Sequence, residues 1–303
     1  MGQSHRTDWL YEAKWGVMLH YVYGCEHMDV KTPGDWNRAV DEFDVDGLAG
    51  QLAEVGAGYL LLTIAQMPPM NAPNSIFDKH VDAPRPVTTG RDLFIDVADA
   101  LAKKGISLTA YSTYFAPCQK FDEGKSDADQ TYPDWWPAGL AEYSRRWGGK
   151  VRGWWFDGQR GNEELNRRLA EAARAGNPDS LVAYNKPHGF QRNSKYEDYT
   201  AGDTPHAPDG ICNGRWAEEG LQWHMLSFLA FCWGPSVKRY DNPRYTADFV
   251  AGKSRDIISA GGVVTWDVPP TKSGLIPEAY LRQLAAVGKA ASGCRRHVRK
   301  PRS

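Results

Sequence analysis

The sequence predicts an α/β protein of the (β/α)8 TIM-type barrel class, a parallel barrel with its helices outside. Three observations carry this. Apolar, strand-like runs alternate with helix-period segments through most of the chain, as a parallel sheet covered by helices requires. About seven or eight such units in about 290 residues match the length of one such barrel. Several of the runs also stop at a polar or acidic residue, namely His20, Asp157, Asn185 and Asp267. The C-terminal ends of barrel strands are where this fold keeps its chemistry. The rival is an open doubly wound sheet. No Gly-rich phosphate turn follows the first strand, which weakens a dinucleotide-binding version.

Taken in order, residues 14–21 are a short apolar run with His20 near its end. A helix follows in the unit 43–66, with Asp46 as N-cap, Leu48, Leu52 and Val55 on one face, and Gly56 and Gly58 as breakers. Residues 59–64 form an almost wholly apolar strand, as a parallel sheet requires, and it leads into Ala65-Gln66-Met67. The next unit repeats the last: a helix over 92–104, a stop at Gly105, a strand over 106–111, then Ser112-Thr113-Tyr114-Phe115 at its end. The loop over 116–131 is long and polar, a length common in lids and binding loops. A helix over 135–147 leads to the strand Val151-Arg152-Gly153-Trp154-Trp155-Phe156-Asp157, which turns at Gly158. Trp154 and Trp155 point to opposite sides of that strand, so at most one lines the interior. A helix over 162–175 closes at Gly176-Asn177-Pro178, and the strand over 181–185 ends at Asn185.

From there the alternation weakens, leaving room for degenerate helices in the second half. Residues 195–208 are acidic and turn-rich, and hold Glu197, Asp198 and Asp203. Trp216-Ala217-Glu218-Glu219-Gly220 precedes an apolar stretch to Trp233. The sequence predicts a helix over 247–259, a last strand over 261–267, and a final helix opened by Pro277 and running to about residue 290. The basic end over 295–303 reads as a frayed tail. The whole, 1–303, reads as one domain.

Composition narrows the partners. The chain carries 36 basic and 37 acidic residues, so nothing marks a nucleic acid or an anionic membrane as a bulk partner. No apolar run approaches a membrane span. Five cysteines, odd in number and widely spaced, indicate neither a disulfide framework nor a zinc knuckle. With no apolar leader core at the N-terminus, a cytoplasmic location is the expectation. No His-x-His ligand cluster stands at the strand ends, so neither metal nor cofactor is expected. Twelve Trp and fourteen Tyr are many for this length, and fill a core or provide flat platforms in a cleft.

Several segments together resemble the α-L-fucosidase family of retaining glycoside hydrolases (family 29). They are the opening Trp-Leu-Tyr-Glu-Ala-Lys-Trp-Gly-Val-Met-Leu-His-Tyr, Ala57-Gly58-Tyr59-Leu60-Leu61-Leu62-Thr63, Arg91-Asp92-Leu93 with its helix, Trp155-Phe156-Asp157-Gly158, and Gly274-Leu275-Ile276-Pro277-Glu278. They keep their order over roughly residues 8–290. The resemblance implies a catalytic barrel, a carbohydrate substrate, Asp157 as nucleophile and His20 as a ligand to a sugar hydroxyl. Four places depart from the pattern. The family's His-His pair is Ala65-Gln66 here, its His-Trp is His20-Tyr21, its closing Asn-Ile-Gly-Pro is Asp267-Val268-Pro269-Pro270, and its common β-sandwich is missing.

Glycoside hydrolysis uses two carboxyl groups flanking the scissile bond. For the partner of Asp157 the order is Asp203, then Glu197, then Glu218, with Asp267 a further candidate. Asp203 follows the Asp198-Tyr199 pair, near where the family often places an acid. Trp155, Trp216, Trp223 and Trp266 are candidate platforms for sugar faces. Gln66, Tyr114 and Asn185, at strand ends, are candidate hydroxyl ligands. The departures leave open a glycosidase of the same fold acting on a galactoside or arabinoside, and a non-catalytic carbohydrate-binding relative.

Overall fold

The computed structural model describes residues 5–126, 129–186, 189–207, 212–237 and 242–294. Its centre is a curled sheet of seven strands: β1 (Trp15–Leu19), β2 (Tyr59–Thr63), β3 (Ser107–Thr113), β4 (Val151–Asp157), β5 (Leu181–Asn185), β8 (His224–Phe228) and β9 (Val263–Val268). Their order is β5-β4-β3-β2-β1-β9-β8, with every neighbour parallel. The intervening β6 (Trp216–Glu218) and β7 (Leu221–Gln222) form a small antiparallel hairpin leading into β8.

The helices behind the sheet include α3 (Val45–Val55), α5 (Leu93–Ala102), α6 (Trp135–Trp147), α7 (Glu163–Arg174), α8 (Ala247–Ala260) and α9 (Glu278–Gly293). Three short helices were not anticipated: α1 (Asp8–Ala13), α2 (Pro33–Asp41) and α4 (Ser75–His80). The second opens with a capping box between Thr32 and Asp35 and Pro33 in its first turn, a signal present in the sequence. The cap of α3 is Asp44, which accepts from Gly47 N; the expected Asp46 lies inside its first turn.

The expected eight-stranded barrel is not closed. Between the edges β5 and β8 runs an irregular segment, residues 198–204. It bonds to β8 through Leu226 N to Gly202 O at 2.9 Å and Thr204 N to Leu226 O at 3.0 Å. Toward β5 this segment makes one backbone bond, Asp198 N to Val182 O at 2.9 Å, and otherwise it and the preceding Glu197 bond through side chains. Val182 N donates to the side chain of Asp198, and Tyr184 N to the side chain of Glu197, each at 2.9 Å. These carboxylates occupy the donors that an eighth strand's carbonyls would take, so no regular ladder forms there. Gly202, at φ 65°, is required in this segment: a Cβ there would stand 2.0 Å from His224 O.

Alternation along each strand separates two cores. Inside the curl, Met18, Leu61, Tyr111, Trp155, Ala183 and Leu226 belong to one cluster, with Leu10 of α1 at the bottom. A void of about 10 Å³ remains there, beside His224 and Thr265, room for about one water. Outside, Trp154 stacks on Trp147 of α6, and Trp147 on Phe94 of α5. Burying such aromatic rings contributes about 1.5–3 kcal/mol each, and fixes which face of β4 turns inward. With Trp154 outward, Trp155 and Asp157 point to the interior.

Candidate active site

At the C-terminal ends of the strands lies a cavity of about 230 Å³, lined on its polar side by His20, Gln66, Tyr111, Asp157 and Asp203. Met18, Leu226 and Trp155 form an apolar wall, and Trp233, Pro235 and Ser236 the rim. Asp157 is the last residue of β4. Both its carboxylate oxygens accept hydrogen bonds: one from Asn185 Nδ2 at 2.8 Å, the other from Tyr111 Oη at 2.6 Å. Burial, and then the neighbouring Asp157 charge, push the Tyr111 hydroxyl well above the ordinary tyrosine range. It therefore stays a donor, and in turn accepts from Gln66 Nε2 at 3.0 Å.

Asn185 Nδ2 also donates to Asp203, at 2.8 Å. An amide nitrogen has two N–H bonds, and here each holds one carboxylate. That fixes the orientation of the amide, because its oxygen could not face two anions. Asn185 Oδ1 is left buried, with no partner among the described residues. On the opposite side His20 Nδ1 lies 2.7 Å from Asp267, and both side chains are buried. The other Asp267 oxygen accepts from Gly234 N at 3.0 Å.

The structure thus brings His20, Gln66, Trp155, Asp157 and Asp203 together around one cavity. Asn185 joins the two acids, and Asp267 stands behind the cavity, bonded to His20 and to Gly234 of the rim. The remaining sequence candidates lie elsewhere. Glu197 is buried under the segment beside β5, where its carboxylate accepts from the backbone N–H groups of Tyr184, Asn193 and Ser194. Burial pushes it up to about 7 against the pull of these donors. Glu218 and Trp216 sit on the hairpin before β8, at the opposite end of the sheet. There Glu218 accepts from Arg192 N, and Trp216 packs against His5 and Arg215. Trp266 points outward, its Nε1 donating to Ser254 of α8 at 2.9 Å. Trp223 stacks on Phe190. Tyr114 is buried against Tyr132 and Tyr184, its hydroxyl donating to Asn162 O.

Sequence reasoning missed Tyr111, Met18, Leu226 and the 233–236 rim. For Tyr111 the signal was available. The strand runs on to Thr113, so Tyr111 shares the inward parity of Thr109 and Thr113, and pairs in register with Trp155.

Comparison with known proteins settles the family. The family model for α-L-fucosidase matches residues 35–291. The chain belongs to the α-L-fucosidase family. Solved structures of similar fold include the α-L-fucosidase AlfC from Lactobacillus casei in complex with its α-L-fucose product, at 15% identity and TM-score 0.68, covering 95% of this chain and 98% of that one. The Thermotoga maritima α-fucosidase, in complex with a mechanism-based inhibitor, aligns at 14% identity and TM-score 0.64 over 94% of this chain and 73% of its own. The endo-fucoidan hydrolase MfFcnA9 of glycoside hydrolase family 107 aligns at 15% identity and TM-score 0.66, over 93% of this chain. This fucosidase-family chain spans 63% of that hydrolase, and 53% of the related MfFcnA4. No curated protein sequence matches it significantly. The chain therefore carries a fucosidase-family glycoside hydrolase fold.

Proposed function

We propose that this chain is a retaining glycoside hydrolase that removes a terminal α-L-fucosyl or closely related residue, with Asp157 as nucleophile and Asp203 as general acid/base. The observation that carries the reading is the pair of carboxylates held by one amide. Two oxygens that accept at 2.8 Å from the two N–H bonds of one trigonal nitrogen would stand about 5 Å apart, which supports the closer pairing of retaining enzymes over the roughly 6.5–9.5 Å an inverting enzyme leaves for water. The cavity volume is below the range of about 300–1,000 Å³ usual for drug-sized ligands, and suits a single sugar ring.

In this mechanism an Asp157 oxygen attacks the anomeric carbon while Asp203 gives its proton to the departing oxygen. Asp203 then takes a proton from water, which releases the sugar from Asp157. Tyr111 and Asn185 orient the nucleophile, and the Nε2 face of His20 is available to a sugar hydroxyl. The substrate class follows the family and the α-L-fucose of the similar AlfC.

A second reading, the same chemistry on a galactoside or arabinoside, is favoured by one observation. Gln66, in place of the histidine pair, directs its amide nitrogen to Tyr111. The test is hydrolysis of aryl α-L-fucoside, galactoside and arabinoside by wild type and Asp157→Asn, with mass spectrometry after a 2-fluoro sugar. Turnover of the fucoside, lost in the variant, with the label on Asp157, is expected. Turnover of another glycoside alone selects the second reading. Activity untouched by the substitution removes Asp157 as nucleophile, and binding of a sugar without turnover selects a carbohydrate-binding role.

A further inference from the structure

We propose that Asp267 is a positioning residue, one buried carboxylate that fixes the ring of His20 and the 233–236 rim together and so shapes the wall against which the sugar sits. The proposal rests on the glycosidase reading of the cavity. Asp267 is fully buried, on the inward face of β9, in register with Met18 of β1 and Phe228 of β8. A carboxylate so enclosed needs a donor for each oxygen. It has two, on different parts of the chain: His20 Nδ1 at 2.7 Å and Gly234 N at 3.0 Å.

The two bonds have separate consequences. With the proton on Nδ1, the tautomer of His20 is set and Nε2 is the nitrogen left for the cavity that His20 lines. With Gly234 N anchored, the rim that supplies Trp233, Pro235 and Ser236 is drawn against the same imidazole. The approach is close: a Cβ at residue 234 would stand 2.7 Å from His20 Cβ. Trp233 meets the His20 ring edge-on, 5.8 Å between centroids. An asparagine at 267 would offer one oxygen to two donors and set its own N–H groups against the other. Either the imidazole or the rim would lose its partner.

The experiment has two readouts. In the full chain labelled with ¹⁵N-histidine, long-range ¹H–¹⁵N spectra report the tautomer of His20, assigned by the signal lost in His20→Asn. A proton on Nδ1 is expected; an Nδ1 that carries none overturns the proposal, and this needs no active substrate and no folded Asp267 variant. The second readout is a kinetic cycle. Asp267→Asn should lower kcat/KM about tenfold, mainly through KM, the size of one charge-assisted hydrogen bond. His20→Asn keeps a donor to Asp267 but no longer reaches the cavity. In that background Asp267→Asn should cost clearly less than it does in wild type, because only the rim is left for it to hold. Losses that multiply, or a fall confined to kcat, would show that Asp267 does not act through His20. Wild type without turnover on any glycoside overturns the glycosidase reading instead, and leaves the tautomer result to decide whether Asp267 sets the imidazole.

Discussion

Asp157 and Asp203 share one hydrogen-bond donor, the side-chain nitrogen of Asn185, 2.8 Å from an oxygen of each. A buried amide between two acids screens their repulsion and sets their separation at once. Asn185→Ala should therefore do more than remove a contact. It leaves two neighbouring carboxylates facing each other without a shared donor. The expected outcome is a fall in kcat of about 10–100-fold, from the loss of one charge-assisted bond to each acid. Steady-state kinetics checks it. A variant with wild-type kcat would mean that the bridge is incidental.

Asp203 carries a different expectation, because a general acid matters only when the leaving group needs a proton. Asp203→Asn should slow glycosides with alkoxide-like leaving groups by about 10²–10⁴-fold. Aryl glycosides with acidic phenols should lose far less in the glycosylation step. Comparing a dinitrophenyl with a simple alkyl glycoside reads the ratio directly. Equal losses on both would assign Asp203 to binding or structure.

Tyr111→Phe tests the other oxygen of Asp157. The substitution keeps the ring that stacks on Trp155 at 5.3 Å between centroids and removes the 2.6 Å bond to Asp157. It also leaves Gln66 Nε2 without its acceptor. We expect kcat to fall about tenfold or more, the size of a hydrogen bond to a charged group, with the fold retained by circular dichroism. Unchanged kcat would show that Asn185 alone orients the carboxylate.

The strand-end rule points to Asp157, His20, Asn185 and Asp267, because a polar residue closing an apolar run is visible in one sequence. It did not separate residues that touch the cavity from those that hold them. Asn185, a candidate hydroxyl ligand, joins two acids, and Asp267, a candidate site acid, holds His20. Parity would have gone further. With Asp267 inward, Trp266 must face the helices, and it reaches Ser254. Glu197 was misleading for a physical reason: an acid in a turn-rich segment after β5 has the right position in the chain, but backbone N–H groups take its oxygens. The 233–236 rim was illegible because β8 lies in an apolar stretch with no distinct end. The open side of the sheet was illegible because side-chain carboxylates, which leave no periodicity, replace a strand.

Two buried groups near that open side should give opposite pH signatures in stability. His224 is enclosed in the lower interior, with Nδ1 2.9 Å from Thr200 O and Nε2 2.7 Å from Thr265 Oγ1. Burial lowers it from an ordinary 6.5 to about 4. The folded chain therefore binds fewer protons than the unfolded one between those values. The stability contributed by neutral His224 is fully present above pH 6.5 and is lost as pH falls through about 4. Glu197 works the other way. Its folded value of about 7 stands above an ordinary 4.5, so its contribution is fully present below 4.5 and is lost as pH rises through about 7. Each slope is at most about 1.4 kcal/mol per pH unit, and in wild type they oppose between 4.5 and 6.5. His224→Gln should leave the Glu197 slope exposed, so this variant gains stability on acidification relative to wild type. Glu197→Gln should lose stability more steeply over the same window. Urea unfolding at half-unit pH steps measures both, and two variants with the wild-type slope would show that neither group titrates in the folded chain as its burial implies.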